Sequence, residues 1–334
     1  MPDSRESGRS NAESKGITAL MKITVAICTW NRGDLLSKTL ENMLRLKTDD
    51  SFTWELLVVN NNCTDNTDEV IAKFSDRLPI KCISEPTPGL SNARNAAVRN
   101  ASGEYIIWTD DDVLVDENWL LAYRDAFDRY PDAAVFGGPV EPWFEGEPPE
   151  WLIQGWAYLD AAFAVRDLGD DVFALKPGTN ALPFGANFAM KLSVQDLFPY
   201  NPDLGLKAGK ILLGEESAVM NGLLEKGYTG WWIPKAKVKH WLPKERQTLD
   251  YIKKYFRGYG HTLCNLDIGT DYKCLWGYPR WLLRAYMTIL LKYFFFRIFC
   301  PKKLWLKSLT DLAVYEGRIY GCRNRKKLAG SKKS

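Results

Sequence analysis

The sequence predicts an α/β fold, a mostly parallel sheet covered on both faces by helices, with a helical extension at the C-terminal end. Short apolar, β-rich runs alternate with helical periods between Ile23 and His240, which is the grammar of strand, helix, strand units. The polar clusters fall where those runs end, and in a parallel sheet those ends share one edge. Beyond His240 the pattern turns helical, aromatic and basic.

Ile23 to Thr29 (ITVAICT) is the first strand. After Trp30-Asn31-Arg32-Gly33 comes a helix from Asp34 to Leu46, with Leu35, Leu36, Leu40, Met43 and Leu44 on one side. Trp54 to Asn60 (WELLVVN) is the second strand, leading through Asn61 to Thr64 into a helix with Asp65 near its start. Ile80 to Ser84 leads likewise into a helix from Leu90 to Asn100, and Tyr105 to Thr109 runs straight into Asp110-Asp111-Asp112. Glu117 to Tyr130 then reads as a helix and Ala133 to Glu141 as a strand. Pro142 to Gly185 is rich in Pro, Trp and Gly, so a loop-rich pocket wall is expected there. Gly185 to Met190 resumes a strand-like run, Ser217 to Lys226 is helical and closed by Gly227, and Thr229 to Ile233 with Lys237 to His240 are the last extended pieces.

The chain has 334 residues, 46% hydrophobic and 25% charged, a composition that buries a core and at this length fits one large domain with an appended part. A net charge of +3 is too small to imply nucleic acid binding, and none is expected, while the clustering of Lys and Arg toward the C-terminus invites an anionic surface. The seven cysteines form no CxxC pair, which argues against a disulfide framework or structural zinc and for a reducing cytoplasm. Residues 1–20 are polar without an apolar run, so a disordered tail is expected rather than a signal peptide or anchor, and Met21 is an alternative start.

The chemistry-bearing clusters each have two readings. Three adjacent carboxylates at the end of an apolar strand repel one another and resist desolvation unless a cation neutralises them. Oxygen-rich clusters of this kind suit Mg²⁺ or Mn²⁺ shared with a diphosphate. A capped acidic loop is the plain alternative to a metal site at Asp110 and Asp112, and the position behind YIIWT favours the metal. Asn60-Asn61-Asn62 and Asp65 offer donors and acceptors that could read a base or ribose, and are equally what helix caps use. Arg94 could meet phosphate or ribose, or line a solvated helix face. Gly214-Glu215-Glu216 supplies adjacent carboxylates, one able to take a proton from an attacking hydroxyl, in a place where glutamate is also welcome beside a helix N-terminus. His240 could complete a metal shell through a neutral imidazole, or be polar surface.

Taken in order, VAICTWNR, VVNNNCTDNT, GLSNARNAAVRNASGEYIIWTDDD, GANFAM and GEESAVMNGLLEKGYTGWWIPKAKVKH resemble the family 2 glycosyltransferases of GT-A fold, over Ile23 to His240. The resemblance implies a Rossmann-like GT-A domain over 21–245, divided into a nucleotide-binding half (21–112) and an acceptor half (113–245). It implies a metal-dependent, inverting transfer from a nucleotide sugar, a UDP-sugar favoured, to an acceptor hydroxyl. Thr29, Asn31, Arg32, Asn60, Asn61 and Asp65 then fall in the nucleoside region, Arg94 in an ARN-type motif, and Asp110 and Asp111 beside the sugar diphosphate. Asp110 and Asp112 take the DXD position and would hold Mg²⁺ or Mn²⁺, with His240 a candidate third ligand. Gly185, Asn187 and Trp231 fall in the acceptor or sugar pocket, Glu216 is the implied base, and Glu215 lies toward the acceptor. Asn60 and Cys63 depart from the family's usual Asp and Ser, so the nucleobase is not inferred closely, and Glu216 replaces the usual Asp.

From Arg280 to Phe299 polar residues recur at Arg280, Arg284, Thr288 and Lys292 on an otherwise apolar helix. Crossing a bilayer takes ~20 mostly apolar residues, and the longest charge-free stretch, Ala285 to Leu291, has seven. A helix lying in the membrane interface beside Lys302, Lys303 and Lys307 is therefore expected, with packing on protein as the alternative. The extension is expected over 246–322, with a basic tail over 323–334. A lipid-linked saccharide or glycolipid acceptor follows, in cell-surface polysaccharide assembly, with the protein peripheral on the inner face of the cell membrane. Two rivals stand beside this reading. A nucleotidyltransferase would want a glycine-rich basic loop where TWNRGD has one glycine and one arginine; a sugar-nucleotide binding protein without catalysis would not need Glu216.

Overall fold

The computed structural model describes residues 20–179, 181–202, 206–207, 210–211, 215–266, 274–276 and 278–331. The N-terminal segment 1–19, Gly214, the Lys303 side chain and the side chains beyond Cys322 lie outside that description.

Strand burial explains the central layer. In β1 (Met21–Thr29), Ile23, Val25 and Ile27 enter one core while Ala26 enters the other. After α1 (Gly33–Met43), β2 (Phe52–Asn60), α2 (Thr67–Phe74), β3 (Ile80–Ser84) and α3 (Leu90–Asn100) comes β4 (Tyr105–Asp110), which divides its side chains in the same way. Burial on both faces is what makes such strands read as continuous apolar runs. The chain continues through β5 (Val113–Val115), α4 (Trp119–Arg129), β6 (Ala133–Gly137), β7 (Val140–Phe144), α5 (Glu150–Leu159), a 3-10 turn (Asp160–Phe163) and β8 (Phe173–Ala174). It then forms β9 (Phe188–Lys191), α6 (Leu192–Gln195), the β10 and β11 ribbon (Leu206–Lys207 and Lys210–Ile211), α7 (Glu215–Glu225), β12 (Thr229–Trp232) and β13 (Val238–Leu242). The end of the chain holds α8 (Leu249–Leu266), a short pair of strands β14 and β15 (Cys274–Leu275 and Tyr278–Pro279), α9 (Arg280–Phe299) and α10 (Lys302–Ser331).

The main sheet runs in the order β3-β2-β1-β4-β9-β6-β12-β8. β1 pairs in parallel with β2 and β4, and β2 with β3, while β9 runs antiparallel to both β4 and β6. Helices α1, α2 and α4 cover one face, α3 and α7 the other. This is the mostly parallel, helix-flanked sheet the sequence predicts.

Three local differences have physical causes. The single strand expected over Ala133 to Glu141 is two strands, because Gly138 and Pro139 break it. A Cβ at Gly138 would lie 2.1 Å from the Ala236 carbonyl oxygen, so the backbone turns there against the start of β13's approach. β7 consequently leaves the main sheet for a small one, β5-β13-β7. The second difference is β5 itself, three residues long and too short for a period. The third is α5, inside the segment expected to be loop-rich: Pro149 stands just ahead of its first turn, where proline costs a helix nothing. Leu152 and Leu159 of α5 share a core with Phe163, Leu242 and Ile252, which ties the C-terminal helices to the sheet. Helix α10 continues through Ser331, into the stretch expected as a basic tail.

Candidate active site

β1 and β4 lie side by side, with Cys28 opposite Asp110 in register, so the loops that follow both strands open onto one edge. Asp111 is buried and anchors the turn: the Thr29 hydroxyl donates to its Oδ2 at 2.7 Å, the Thr39 hydroxyl to its carbonyl oxygen at 2.9 Å, and Arg32 pairs with Oδ1 at 2.6 Å. Arg32 also reaches Asp112 Oδ2 at 3.0 Å. Thr29 is itself buried, so its hydroxyl is engaged with the acidic turn.

His240 reaches the same place by strand pairing. β13 lies antiparallel to β5 with His240 opposite Val113, and the Trp241 amide donates to the Asp112 carbonyl oxygen at 2.9 Å. Donor atoms of Asp110, Asp112 and His240 fall within 4.8 Å of one another. The His240 Nδ1 lies 2.7 Å from the Phe163 carbonyl oxygen, a contact that only an N–H can make, so Nε2, facing Asp112 Oδ1 at 3.3 Å, is an acceptor in the neutral ring and a donor in the protonated one. Asp112 Oδ1 has no hydrogen-bond partner although it is buried. With the ring neutral, two acceptors face each other across a buried gap, and either a proton on Nε2 or a cation between them must fill it. The donor set, two carboxylates and an imidazole oriented from behind by a carbonyl, fits a divalent metal.

Electrostatics agree with that demand. Burial and the neighbouring Asp112 raise Asp110 above the ordinary carboxylate range. Burial works against ionising Asp112 as well, but His240 and Arg32 overcome it and hold that carboxyl low. Burial alone would lower His240, and the Asp112 carboxylate reverses the direction.

A second cluster lies across α3 and α7. Arg94 is buried and pairs with Glu215 Oε1 at 2.9 Å and with Glu216 Oε2 at 3.7 Å. Its guanidinium is ringed by Trp108, Phe188 and Tyr200, 5.4–5.9 Å from their centroids. A Cβ at Gly185 would lie 2.6 Å from Arg94 Nη2, so a side chain there would push the guanidinium from its place beside the pair. Glu215 is buried; Glu216 is the more open carboxylate and lies toward Gly185. Arg94 is thus engaged with the carboxylates rather than directed at a phosphate or ribose.

The remaining residues singled out in the sequence have mostly local partners. The Asn61 amide donates to the carbonyl oxygens of Glu85 and Thr87 and accepts from the Gly89 amide, pinning the end of β2 to the start of α3. The Asn60 amide donates to Asp68 and accepts from the Cys63 amide. Asn31, with φ of 52°, accepts from the Thr64 amide, and Asp65 accepts from the Gly33 amide and from Thr67. These contacts hold the two loops at the sheet edge against each other. Asn187 is fully enclosed: it accepts from Trp119 and Tyr123 and donates to the carbonyl oxygens of Pro139 and Ala236, so its amide has no capacity left for a pocket. Trp231 stacks on Tyr130 at the end of α4, with ring centroids 4.1 Å apart. Sequence reasoning missed Thr39, Phe163 and Tyr200. Only the first two have direct hydrogen bonds to the acidic turn and His240, and neither carries a motif.

The glycosyl transferase family 2 model matches residues 24–182. Among relatives, the chain is 22% identical over 237 residues to succinoglycan biosynthesis protein ExoM of Rhizobium meliloti (strain 1021), covering 70% of this chain and 71% of that protein. It is 29% identical over 125 residues to the poly-beta-1,6-N-acetyl-D-glucosamine synthase of Staphylococcus aureus (strain MSSA476), covering 37% of this chain and 30% of that one, so it spans under a third of this relative's length. Among solved structures, the mannosyltransferase PcManGT of Pyrobaculum calidifontis, in complex with GDP-Man and Mn²⁺, aligns with a TM-score of 0.57 at 18% identity, over 91% of this chain and 88% of that one. Residues 1–349 of S. aureus TarS with UDP align with a TM-score of 0.51 at 13% identity, over 90% and 91%. These structures share the GT-A fold. Over residues 24–182, just under half of its length, the chain matches glycosyl transferase family 2.

Proposed function

We propose that this glycosyltransferase moves one sugar from a nucleotide sugar, a UDP-sugar in the first instance, to an acceptor hydroxyl with inversion at the anomeric carbon. The observation that carries the reading is the pairing of two clusters on one fold: a buried Asp, Asp, His group with an unsatisfied oxygen, and a carboxylate pair clamped by Arg94. Asp110, Asp112 and His240 would hold Mg²⁺ or Mn²⁺, which when bound would offset the charge of the sugar diphosphate. Mn²⁺ accompanies GDP-Man in the mannosyltransferase of similar fold, which supports this assignment.

Glu216, the more open carboxylate, is the base. It takes the acceptor hydroxyl's proton as that oxygen bonds to the anomeric carbon; the bond from that carbon to the diphosphate oxygen breaks, and the nucleoside diphosphate departs with the electron pair. One base suffices for a single displacement. Arg94 and Glu215 act as positioning residues: Arg94 fixes Glu215 and the backbone of α7, and so sets where Glu216 points. Arg32 keeps Asp111 and Asp112 paired, and Thr29, Asn31, Asn60, Asn61 and Asp65 shape the nucleoside side of the cleft by bracing its loops.

Relatives named for succinoglycan biosynthesis and poly-beta-1,6-N-acetyl-D-glucosamine synthesis support a saccharide acceptor in polysaccharide assembly; that acceptor would be carried on a lipid and met at the inner face of the cell membrane. No helix among the described residues is long and apolar enough to cross a membrane, so that meeting would be peripheral. The test is a panel of nucleotide sugars with Mn²⁺ or Mg²⁺, scored for binding and slow hydrolysis, with Glu216→Gln alongside. Glu216→Gln should bind the donor as the parent does and lose transfer by about 10²–10⁴-fold. Transfer unchanged in that variant would favour a different base, and no binding of any nucleotide sugar would overturn the reading.

A further inference from the structure

α9 is unlike the other long helices in how little of it is covered. Of its residues only Leu282 is buried. Met287 is 53% exposed, Leu291 67%, Phe294 and Phe295 55% each, and Ile298 and Phe299 70% each. Their spacing places these six on one side of the helix. On the opposite side Tyr293 and Phe296 pack against Trp305, Leu306 and Leu309 of α10, so the helix is docked on the protein by one side and bare on the other. A continuous apolar strip of this kind on a water-soluble surface marks a contact site.

The charges around the strip narrow what can cover it. Arg280, Arg284 and Lys292 are exposed on the same outward side, and Arg297 and Lys302 are exposed nearby. The helix, RWLLRAYMTILLKYFFFRIF, contains no acidic residue. Among the described residues neither Arg284 nor Lys292 has an ion-pair partner, in contrast to Arg257 and Lys307 on the neighbouring helices, which pair with Glu316 and Asp311. Two copies meeting α9 to α9 would press these cations together with no carboxylate on the helix to separate them. A surface with phosphate at its boundary and hydrocarbon beneath complements both the cations and the phenylalanines.

We infer that the outer side of α9 seats in the interfacial region of an anionic lipid bilayer. This deepens the proposed reading of a lipid-borne acceptor and names the surface by which the enzyme meets it. Phe294, Phe295, Ile298 and Phe299 enter the boundary between headgroups and acyl chains, while Arg284 and Lys292 meet headgroup phosphates, in the manner of interfacial amphipathic helices. The length of α9 is spent along the surface and not across it.

Flotation of the full chain with vesicles of phosphatidylcholine, with and without phosphatidylglycerol, tests this. The parent should float with the anionic vesicles and much less with neutral ones, and added salt should weaken it. A Phe294→Ser, Phe295→Ser, Ile298→Ser variant should lose flotation by at least about tenfold. Arg284→Gln with Lys292→Gln should lose about fivefold per cation removed. These side chains are exposed, so circular dichroism and the nucleotide-sugar hydrolysis rate in solution should match the parent. Equal flotation of all forms would overturn the inference. So would an absence of flotation combined with a dimer in sedimentation that the triple variant converts to monomer, because the strip would then be a self-association face. The two readings fail separately: flotation without any nucleotide-sugar binding leaves the surface standing and sinks the proposed reaction, whereas binding without flotation does the reverse.

Discussion

Glu215 lies beneath Arg94 with a second carboxylate alongside, and its titration reports on that crowding. Burial, reinforced by the charge of Glu216, pushes Glu215 up from 4.5 to about 8 against the opposing pull of Arg94. The folded Glu215 and Glu216 pair therefore takes up a proton at higher pH than the same side chains in the unfolded chain. The stabilisation is complete below the unfolded pKa and is lost as pH rises through the folded one. The thermal midpoint should accordingly fall between roughly pH 5 and pH 8, and Glu215→Gln should flatten that slope; parallel slopes in the two proteins would dispose of the assignment. At this scale the sequence was legible in residue types and less so in tasks. Asp110, Asp112 and His240 come together as their chemistry suggested. Thr29, Asn61 and Asp65 were marked by position at strand ends, yet their hydrogen bonds go to other parts of the chain. Such partners are set by tertiary pairing, for which spacing along the sequence carries no signal. Asn187 is the extreme case, since its four partners come from three different stretches of the chain.

Helices and strands followed their periodicity closely where it was strong. Ile80–Ser84, Leu90–Asn100 and Arg280–Phe299 begin and end where the pattern changes. Elements too short for a period, such as Val113–Val115, or written in Trp and Gly, such as Glu150–Leu159, are settled by what they pack against. The pairing of α8 with α10 is likewise invisible in one-dimensional pattern but rests on particular residues. A Cβ at Gly260 would lie 1.9 Å from the Val314 carbonyl oxygen, and one at Gly317 would lie 2.0 Å from that of Arg257. The two backbones touch through reciprocal glycines. Gly260→Ala gains about 1 kcal/mol of helix propensity but forces apart two main chains, an overpacking cost typically of about 1–3 kcal/mol. Because the obstacle is backbone, the loss should win, lowering the unfolding free energy by up to about 2 kcal/mol in denaturant titration. Gly222→Ala in α7, where the added methyl meets only the Phe198 ring at 3.9 Å, should be neutral or stabilising. Similar behaviour of the two substitutions would argue that the α8 and α10 contact is looser than it stands here.

For the molecule as a whole, the carboxylate turn is a store of electrostatic cost that a divalent ion should release. A cation that binds the folded chain and not the unfolded one stabilises it by about 2.7 kcal/mol at a hundredfold excess over its Kd. Mn²⁺ or Mg²⁺ should therefore raise the thermal midpoint, and a chelator should return it. Asp112→Asn and His240→Ala should each reduce that rise, measured against each variant's own metal-free midpoint. A rise that survives both substitutions would place the ion elsewhere.

The pairing of β13 with β5 has a consequence in time as well as in space. Asp110 and Asp112 emerge early in synthesis, and the strands β1 to β4 can assemble a local parallel sheet around them. His240 arrives only when Val238–Leu242 has been made and has slid between β5 and β7. Until then the acidic turn has Arg32 as its resident cation and lacks its imidazole. A nascent chain can thus own the β1 to β4 sheet long before it brings the three proposed metal ligands together, and the last strand of the small sheet completes that group only once the scaffold around it exists.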